Sequence, residues 1–194
     1  MKEWDGDPTD SADVRDVHAE DCVIWCDWGR ALEIGAETCA DNIDNIVFRN
    51  CDIVRTAHVA MDIQHGDRAR ITNILFEGIR VEMDRHCLEP VYQSKENEMY
   101  SEASGDYCPQ LFFAGIGKNS WSHDNKIGSI ENVTFKNITV TSSKLPESVL
   151  CGADEEHKIS NVAFDNIVIN GKRTLSAEDA NLKIMDYVEG VSIS

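Results

Sequence analysis

The sequence predicts an all-β solenoid of parallel strands, about five to six rungs with one large loop insertion, and three observations carry that prediction. A ten-residue unit recurs along the chain, its copies are spaced at a near-constant interval, and each alternates apolar and polar residues with a strand's period of two. The clearest copy is Asn45-Ile46-Val47-Phe48-Arg49-Asn50-Cys51-Asp52-Ile53-Val54. Others begin at Asn73, Asn132 and Asn161, and a weaker one begins at Asp16. Three of the four intervals between these starting points are equal to within one position, and the interval from Asn73 to Asn132 is about twice as long.

Within each copy, apolar side chains fall one, three, six and eight residues after the first, as in Ile46, Phe48, Cys51 and Ile53 or Ile74, Phe76, Ile79 and Val81. Alternation within each half puts these on one strand face, and the shift from odd to even offsets requires a corner between the halves. Asp21, Asn50, Gly78, Asn137 and Asn166 stand at that corner, and these residue types tolerate tight bends. Phe48, Phe76, Phe135 and Phe164 are therefore expected in a single file, one ring per rung.

In chain order, residues 1–15 are polar and acidic and read as a loop leading into the first copy. After that copy, Cys26-Asp27-Trp28-Gly29 turns the chain into Ala31-Leu32-Glu33-Ile34-Gly35. Glu33 lies as far beyond Asp16 as Asp62 lies beyond Asn45, so the two acids hold equivalent places on neighbouring rungs. Leu32 and Ile34 flank one as Met61 and Ile63 flank the other, which points the apolar neighbours inward and the acids outward. Gly35 and Gln64 form the next outward pair. The long interval contains an insertion, about 83–129, with an acidic stretch carrying Tyr92, Tyr100 and Tyr107. It reads either as one enlarged rung or as two irregular ones, and Leu111-Phe112-Phe113-Ala114-Gly115 matches Ala31–Gly35. The pattern then resumes through Ser148-Val149-Leu150-Cys151 to Val188-Glu189-Gly190-Val191-Ser192-Ile193.

A chain of 194 residues with 42% hydrophobic content suits one domain. The formal charge of −17 weighs against nucleic acid and anionic membranes as partners, since both reward Lys and Arg. No apolar run is long enough to cross a bilayer, and the opening residues lack the apolar core of a signal peptide. Of the seven cysteines, Cys22 and Cys51 fall at apolar ladder positions and read as small interior hydrophobes. Zinc spacing and calcium-loop motifs are both absent, so Asp27 and Glu37 read as a solvated acidic face, and no metal or cofactor is expected.

The repeated Asn-Ile-x-Phe-x-Asn-Ile-x-Val units, over about residues 16–194, resemble the pectin-lyase type of right-handed single-stranded parallel β-helix. Within that group the chain resembles the polygalacturonase-like family 28 of glycoside hydrolases. Gly29-Arg30-Ala31-Leu32-Glu33-Ile34-Gly35 occupies the place of the family's Gly-His-Gly segment, and Asp62-Ile63-Gln64 the place of its Arg-Ile-Lys. The resemblance implies hydrolysis of a glycosidic bond by paired carboxylic acids, an oligo- or polysaccharide partner, and an extracellular or periplasmic location. Both motifs are altered: Arg30 stands for the histidine, and an acid and an amide stand for two cations that help hold a uronic acid. A neutral or modified sugar is therefore the expected ligand. The family's catalytic aspartates precede its Gly-His-Gly segment and have no match upstream of Gly29, so the chain reads as the C-terminal part of such an enzyme.

From the residues themselves, Glu33 and Asp62 are the candidate catalytic acids, with Arg30, Gln64, His65, Trp28 and Glu37 as candidate substrate-binding residues. Adjacent parallel strands lie about 4.8 Å apart, so the two carboxyls would sit near the roughly 5–5.5 Å of a retaining pair and short of the roughly 6.5–9.5 Å of an inverting one. The alternative is a pair of surface acids neutralised by Arg30 or Arg68. His65 belongs either to the cleft edge or to a turn in which it is hydrogen-bonded, and Trp25 either to a sugar platform or to packing under a loop. Two functions of different class remain: a glycoside hydrolase, and a noncatalytic β-helical binding or assembly module. Unpaired strand edges at an open end of the coil also predict self-association through the N-terminal face.

Overall fold

The computed structural model describes residues 11–83 and 107–194, all strand, turn and loop, with strands stacked in three parallel ladders. The first ladder runs β1 (Val14–Glu20), β4 (Asn42–Arg49), β7 (Arg70–Glu77), the first half of β10 (Ser129–Ser142), the first part of β12 (Ile159–Ile169) and β15 (Val188–Ile193). The second runs β2 (Val23–Trp25), β5 (Asp52–Arg55), β8 (Arg80–Met83) and the second halves of β10 and β12. The third runs β3 (Leu32–Ala36), β6 (Val59–His65), β9 (Gln110–Ile116), β11 (Ser148–Cys151) and β14 (Leu182–Ile184). A short strand, β13 (Lys172–Arg173), folds back antiparallel on β12. Each turn of the chain thus adds one strand to each ladder, the strand order of a solenoid.

The register follows the sequence period. Phe48, Phe76, Phe135 and Phe164 are Cα partners in succession, and their rings stack in one file with centroids 5.0 Å apart. Ile193 continues the file, and Asn161 faces Gly190 because Ser160 pairs Glu189 and Val162 pairs Val191. The terminal stretch is therefore a sixth copy.

Corners lie at two places in each copy. The expected bend at Asp21, Asn50, Gly78, Asn137 and Asn166 is present, all with φ between 51° and 66°. The first residue of each copy bends as well: Asp16, Asn45, Asn73, Asn132, Asn161 and Gly190 all have positive φ. Left-handed backbone costs most L-residues about 1–2 kcal/mol, and Asn, Asp and Gly are the types that accept it. The Asn side chains also bond along the stack. Asn45 donates to Asp16 at 2.6 Å, Asn132 to Asn73 at 3.3 Å, Asn161 to Asn132 at 3.2 Å and Asn166 to Asn137 at 2.8 Å. Gly78 interrupts the second ladder of amides, and Arg80 Nη1 donates to Asn50 Oδ1 at 2.9 Å in its place.

The long interval is one enlarged rung. Strand β10 pairs β7 directly, Val133 on Ile74 and Phe135 on Phe76, which leaves no room for a rung between them. Leu111–Gly115 holds the expected place, with Ile63 on Ala114 and Gln64 on Gly115. Tyr92, Tyr100 and the rest of 84–106 lie outside the described residues, as do residues 1–10; Tyr107 donates its phenol to the Ala57 carbonyl at 2.5 Å.

Two expectations at the N-terminal end are corrected. The lead-in ends earlier than residue 15, because β1 starts at Val14 and pairs it with Ile43. Cys22 is not an interior residue like Cys51: it is exposed, while Cys51 is fully buried. The strand that follows it, β2, is the edge of its ladder, so a position that is enclosed one rung later is open here.

Candidate functional site

The candidate residues gather on the outer face of the third ladder. Glu33 pairs Asp62 and Gly35 pairs Gln64, as the period requires. Continuing up the ladder, Phe113 and Val149 follow Asp62, while Gly115 and Cys151 follow Gln64, so the face passes from acidic to apolar within two rungs. Gly35 is needed here: its φ is +132°, and a Cβ would stand 2.0 Å from the Gln64 carbonyl oxygen. At Gly115 the Phe113 ring fills the space a side chain would take, 2.6 Å from an added Cβ.

The expectation that both acids face solvent is corrected. Glu33 is exposed, but Asp62 is 0% exposed, and so are Ala60 and Leu111 on the same outward face. Alternation in β6 does turn Asp62 away from the coil's core, but that side of the strand is covered too. Arg30 supplies its counter-ion: the guanidinium contacts the Asp62 carboxylate and lies 3.7 Å from Glu33 Oε1. Neither Asp62 oxygen has a well-formed hydrogen bond among the described residues. Burial pushes the Asp62 carboxyl up to about 7, Arg30 pulls against that, and the Glu33 charge adds to it. Glu33 is also raised, first by partial burial, with Arg30 opposing and Glu37 adding. His58, which the sequence reading missed, is held low by burial and then by Arg30, which disfavours its charged form.

Other candidates are placed as follows. Gln64 is half-buried beside Asp62, and Glu37 is exposed just past the end of β3, close enough to act on Glu33. Trp28, two residues before Arg30, is 45% exposed, and Trp25 is 64% exposed with the Arg55 guanidinium 5.3 Å from its ring centroid. Trp25 is therefore not packed under a loop. Asp27 pairs with Arg55 at 2.8 Å. Arg68 is committed elsewhere, to Asp41 at 2.8 Å and Asp124 at 2.7 Å, so Arg30 alone of the two neutralises the acids. Among the described residues, no group of three His, Cys, Asp or Glu is arranged to hold a metal ion.

Of the two places open to His65, the structure gives the hydrogen-bonded one, at the end of β6 rather than in a turn, and not the cleft edge. It is fully buried, and its Nδ1 lies 2.7 Å from the Thr38 hydroxyl. That hydroxyl already accepts from the Gly66 and Asp67 N–H groups at 3.2 and 3.0 Å, so its own proton points at Nδ1 and the imidazole is the Nε2–H tautomer. Burial pushes the ring down to about 4, which keeps it neutral. Asp67, in the same segment, has a role that the sequence reading did not assign. Its carboxylate accepts from Thr38 N at 2.9 Å and from His123 N and Asp124 N at 2.7 Å each, joining three successive rungs at one corner. The signal was available, because Asp67 lies one period after Thr38.

No family model, curated protein or solved structure matches the chain.

Proposed function

We propose that the chain is a right-handed parallel β-helix of the polygalacturonase-like kind whose β3 and β6 face binds a neutral oligosaccharide. A parallel strand-to-strand crossover is right-handed in nearly all proteins, which supports the hand. The observation that carries the ligand reading is Arg30 held between a buried and an exposed acid, two residues from the half-exposed Trp28 indole. Glu33 and the Gln64 amide offer acceptors and donors to sugar hydroxyls, and an indole face stacks on the apolar side of a pyranose. Because the Arg30 guanidinium already lies against both Asp62 and Glu33, and the chain carries a formal −17, a uronic acid carboxylate finds little to hold it.

Binding is favoured over hydrolysis because only one member of the acid pair reaches solvent. Hydrolysis is the second reading, favoured by the Asp62 carboxyl at about 7, which suits proton donation near neutral pH, and by the upward shift of Glu33 beside it. Calorimetric titration with neutral oligosaccharides and with oligogalacturonate, beside an assay for released reducing ends, tests both. Expected is binding to a neutral series, weakened tenfold or more in Trp28→Ala and in Glu33→Gln, with no reducing ends formed. Reducing ends that vanish in Glu33→Gln would establish the hydrolase instead, and failure to bind any saccharide would overturn both readings.

A further inference from the structure

Cys22 and Cys51 lie one period apart in the chain and immediately precede β2 and β5, whose first residues, Val23 and Asp52, are Cα partners. The Asp52 N–H donates to the Cys22 carbonyl at 2.8 Å, and Arg80 N–H repeats that bond to the Cys51 carbonyl one rung further on. The two thiols also take the same pose. Cys22 Sγ donates to the Glu20 carbonyl and Cys51 Sγ to the Arg49 carbonyl, each at 3.2 Å, and Glu20 and Arg49 are themselves Cα partners. Strands so paired lie about 4.8 Å apart, inside the roughly 4.4–6.8 Å of Cα separation that a disulfide spans. The Cys22 thiol is close enough to act on its neighbour, helping burial to hold the Cys51 thiol above its usual range. The third rung places Ile79 at this position, so the pairing is confined to the first two rungs.

Access differs between the two. Cys22 is exposed just before the edge strand β2, whereas Cys51 is fully buried, so an external reagent reaches only the first. We propose that Cys22 and Cys51 form a redox-controlled staple, closed by exchange with a small-molecule disulfide, that locks the edge strand β2 onto β5. In the first step the Cys22 thiolate attacks one sulfur of the reagent, its S–S bond breaks, and one thiol leaves. In the second, the Cys51 thiolate attacks Cys22 Sγ, the mixed disulfide breaks, and the second thiol leaves. Two protein thiols are oxidised, the reagent is reduced to two thiols, and the protons of Cys22 and Cys51 pass to the leaving groups. Burial of Cys51 sets the order of events and makes the second step the slower one at neutral pH, because the thiolate is the attacking form.

The staple closes a loop of one full period that holds the ladder edges β2 and β3 and the interior strand β4. Constraining such a loop in the unfolded chain corresponds to a rise in Tm of roughly 5–10 °C for a domain of this size. The full chain is treated with oxidised glutathione at pH 8, then analysed by intact mass, peptide mapping and thermal melting. Expected are a mass loss of two hydrogens, a cross-linked peptide joining Cys22 to Cys51, and a rise in Tm that dithiothreitol reverses. In Cys51→Ser, glutathione stays attached at Cys22; in Cys22→Ser, neither the cross-link nor the rise in Tm forms. A lasting glutathione adduct on Cys22 of the unaltered chain, a cross-link from Cys22 to any other cysteine, or no reaction at Cys22 would each overturn the proposal.

Discussion

Asp62 and His65 sit three residues apart on one strand, both fully buried, and they titrate in opposite senses over the same pH range. The Asp62 carboxyl rises from 3.8 to about 7, so the folded protein keeps a proton that the unfolded chain has released. Its contribution is fully present below pH 3.8 and is lost as pH rises through 7, about 4 kcal/mol in all at about 1.4 kcal/mol per pH unit. The His65 ring falls from 6.5 to about 4, so here the unfolded chain binds the extra proton. That contribution is present above pH 6.5 and is lost as pH falls through 4, about 3 kcal/mol. Between about pH 4 and 6.5 the two slopes nearly cancel. Removing either residue unmasks the other. Urea denaturation of wild type and Asp62→Asn, followed by tryptophan fluorescence at pH 4, 5, 6, 7 and 8, measures the difference directly. Relative to wild type the variant is expected to gain about 4 kcal/mol between pH 4 and 8, whatever constant offset the buried amide introduces. His65→Gln is expected to move the other way by about 3 kcal/mol, more stable against wild type at pH 4 than at pH 7. A pH-independent difference for Asp62→Asn would refute the reasoning, because it would mean that Asp62 is ionised or solvated in the folded state.

At the interrupted corner φ is +66°, so Gly78→Ala is expected to lower stability by about 1–2 kcal/mol in thermal melts and Gly78→Asn by clearly less, because Asn accepts left-handed backbone. The added Cβ would meet Asn50 N at 3.7 Å and Cα at 3.9 Å, ordinary contacts, so equal losses for the two variants would contradict the account of the corner. Asp67→Asn turns an amide NH2 toward backbone N–H donors and is expected to cost about 2–4 kcal/mol, read as a lowered urea midpoint. Burial pulls the Asp67 carboxyl up, but the N–H groups of Asp124, Thr38 and His123 outweigh it and hold it low, so its contribution is present above the ordinary Asp range and disappears as pH falls. At the first rung Val14, Val17, Val23 and Trp25 are exposed on ladder edges, with Asp13, Asp16, Glu20 and Asp21 beside them. End-to-end self-association through this face is accordingly expected to strengthen with salt as the acids are screened, and Val17→Lys to abolish it. Sedimentation at 50 mM and 1 M NaCl tests this, and a monomer at both would rule it out.

Much of the architecture was legible because a solenoid's contacts join residues one period apart, and a period is arithmetic on the chain. Counting one period forward placed Phe48 on Phe76 and Glu33 on Asp62 without reference to any distant part of the molecule, and left Glu189 or Gly190 for Asn161, of which the structure has Gly190. The corner chemistry was half legible: Asn at the fifth place was read as a bend, while the equal bend at each copy's first residue was not. Whether the long interval held one rung or two was beyond the sequence, since the 84–106 stretch has no period to count, and only the β7–β10 pairing decided it. Burial of Asp62 was hidden for a related reason. Alternation states which side of a strand a residue takes, but whether that side meets water depends on what packs over it, and the Arg30 guanidinium that lies on Asp62 is placed there by no repeat. Arg30 turning to Asp62, Arg68 turning away to Asp41 and Asp124, and His65 closing on Thr38 are likewise choices among partners one rung or more away. The sequence by itself therefore determined the ladder and the residues that share a row. Only the tertiary structure decided which of them are dry, because exposure is a property of the whole surface and not of the repeat.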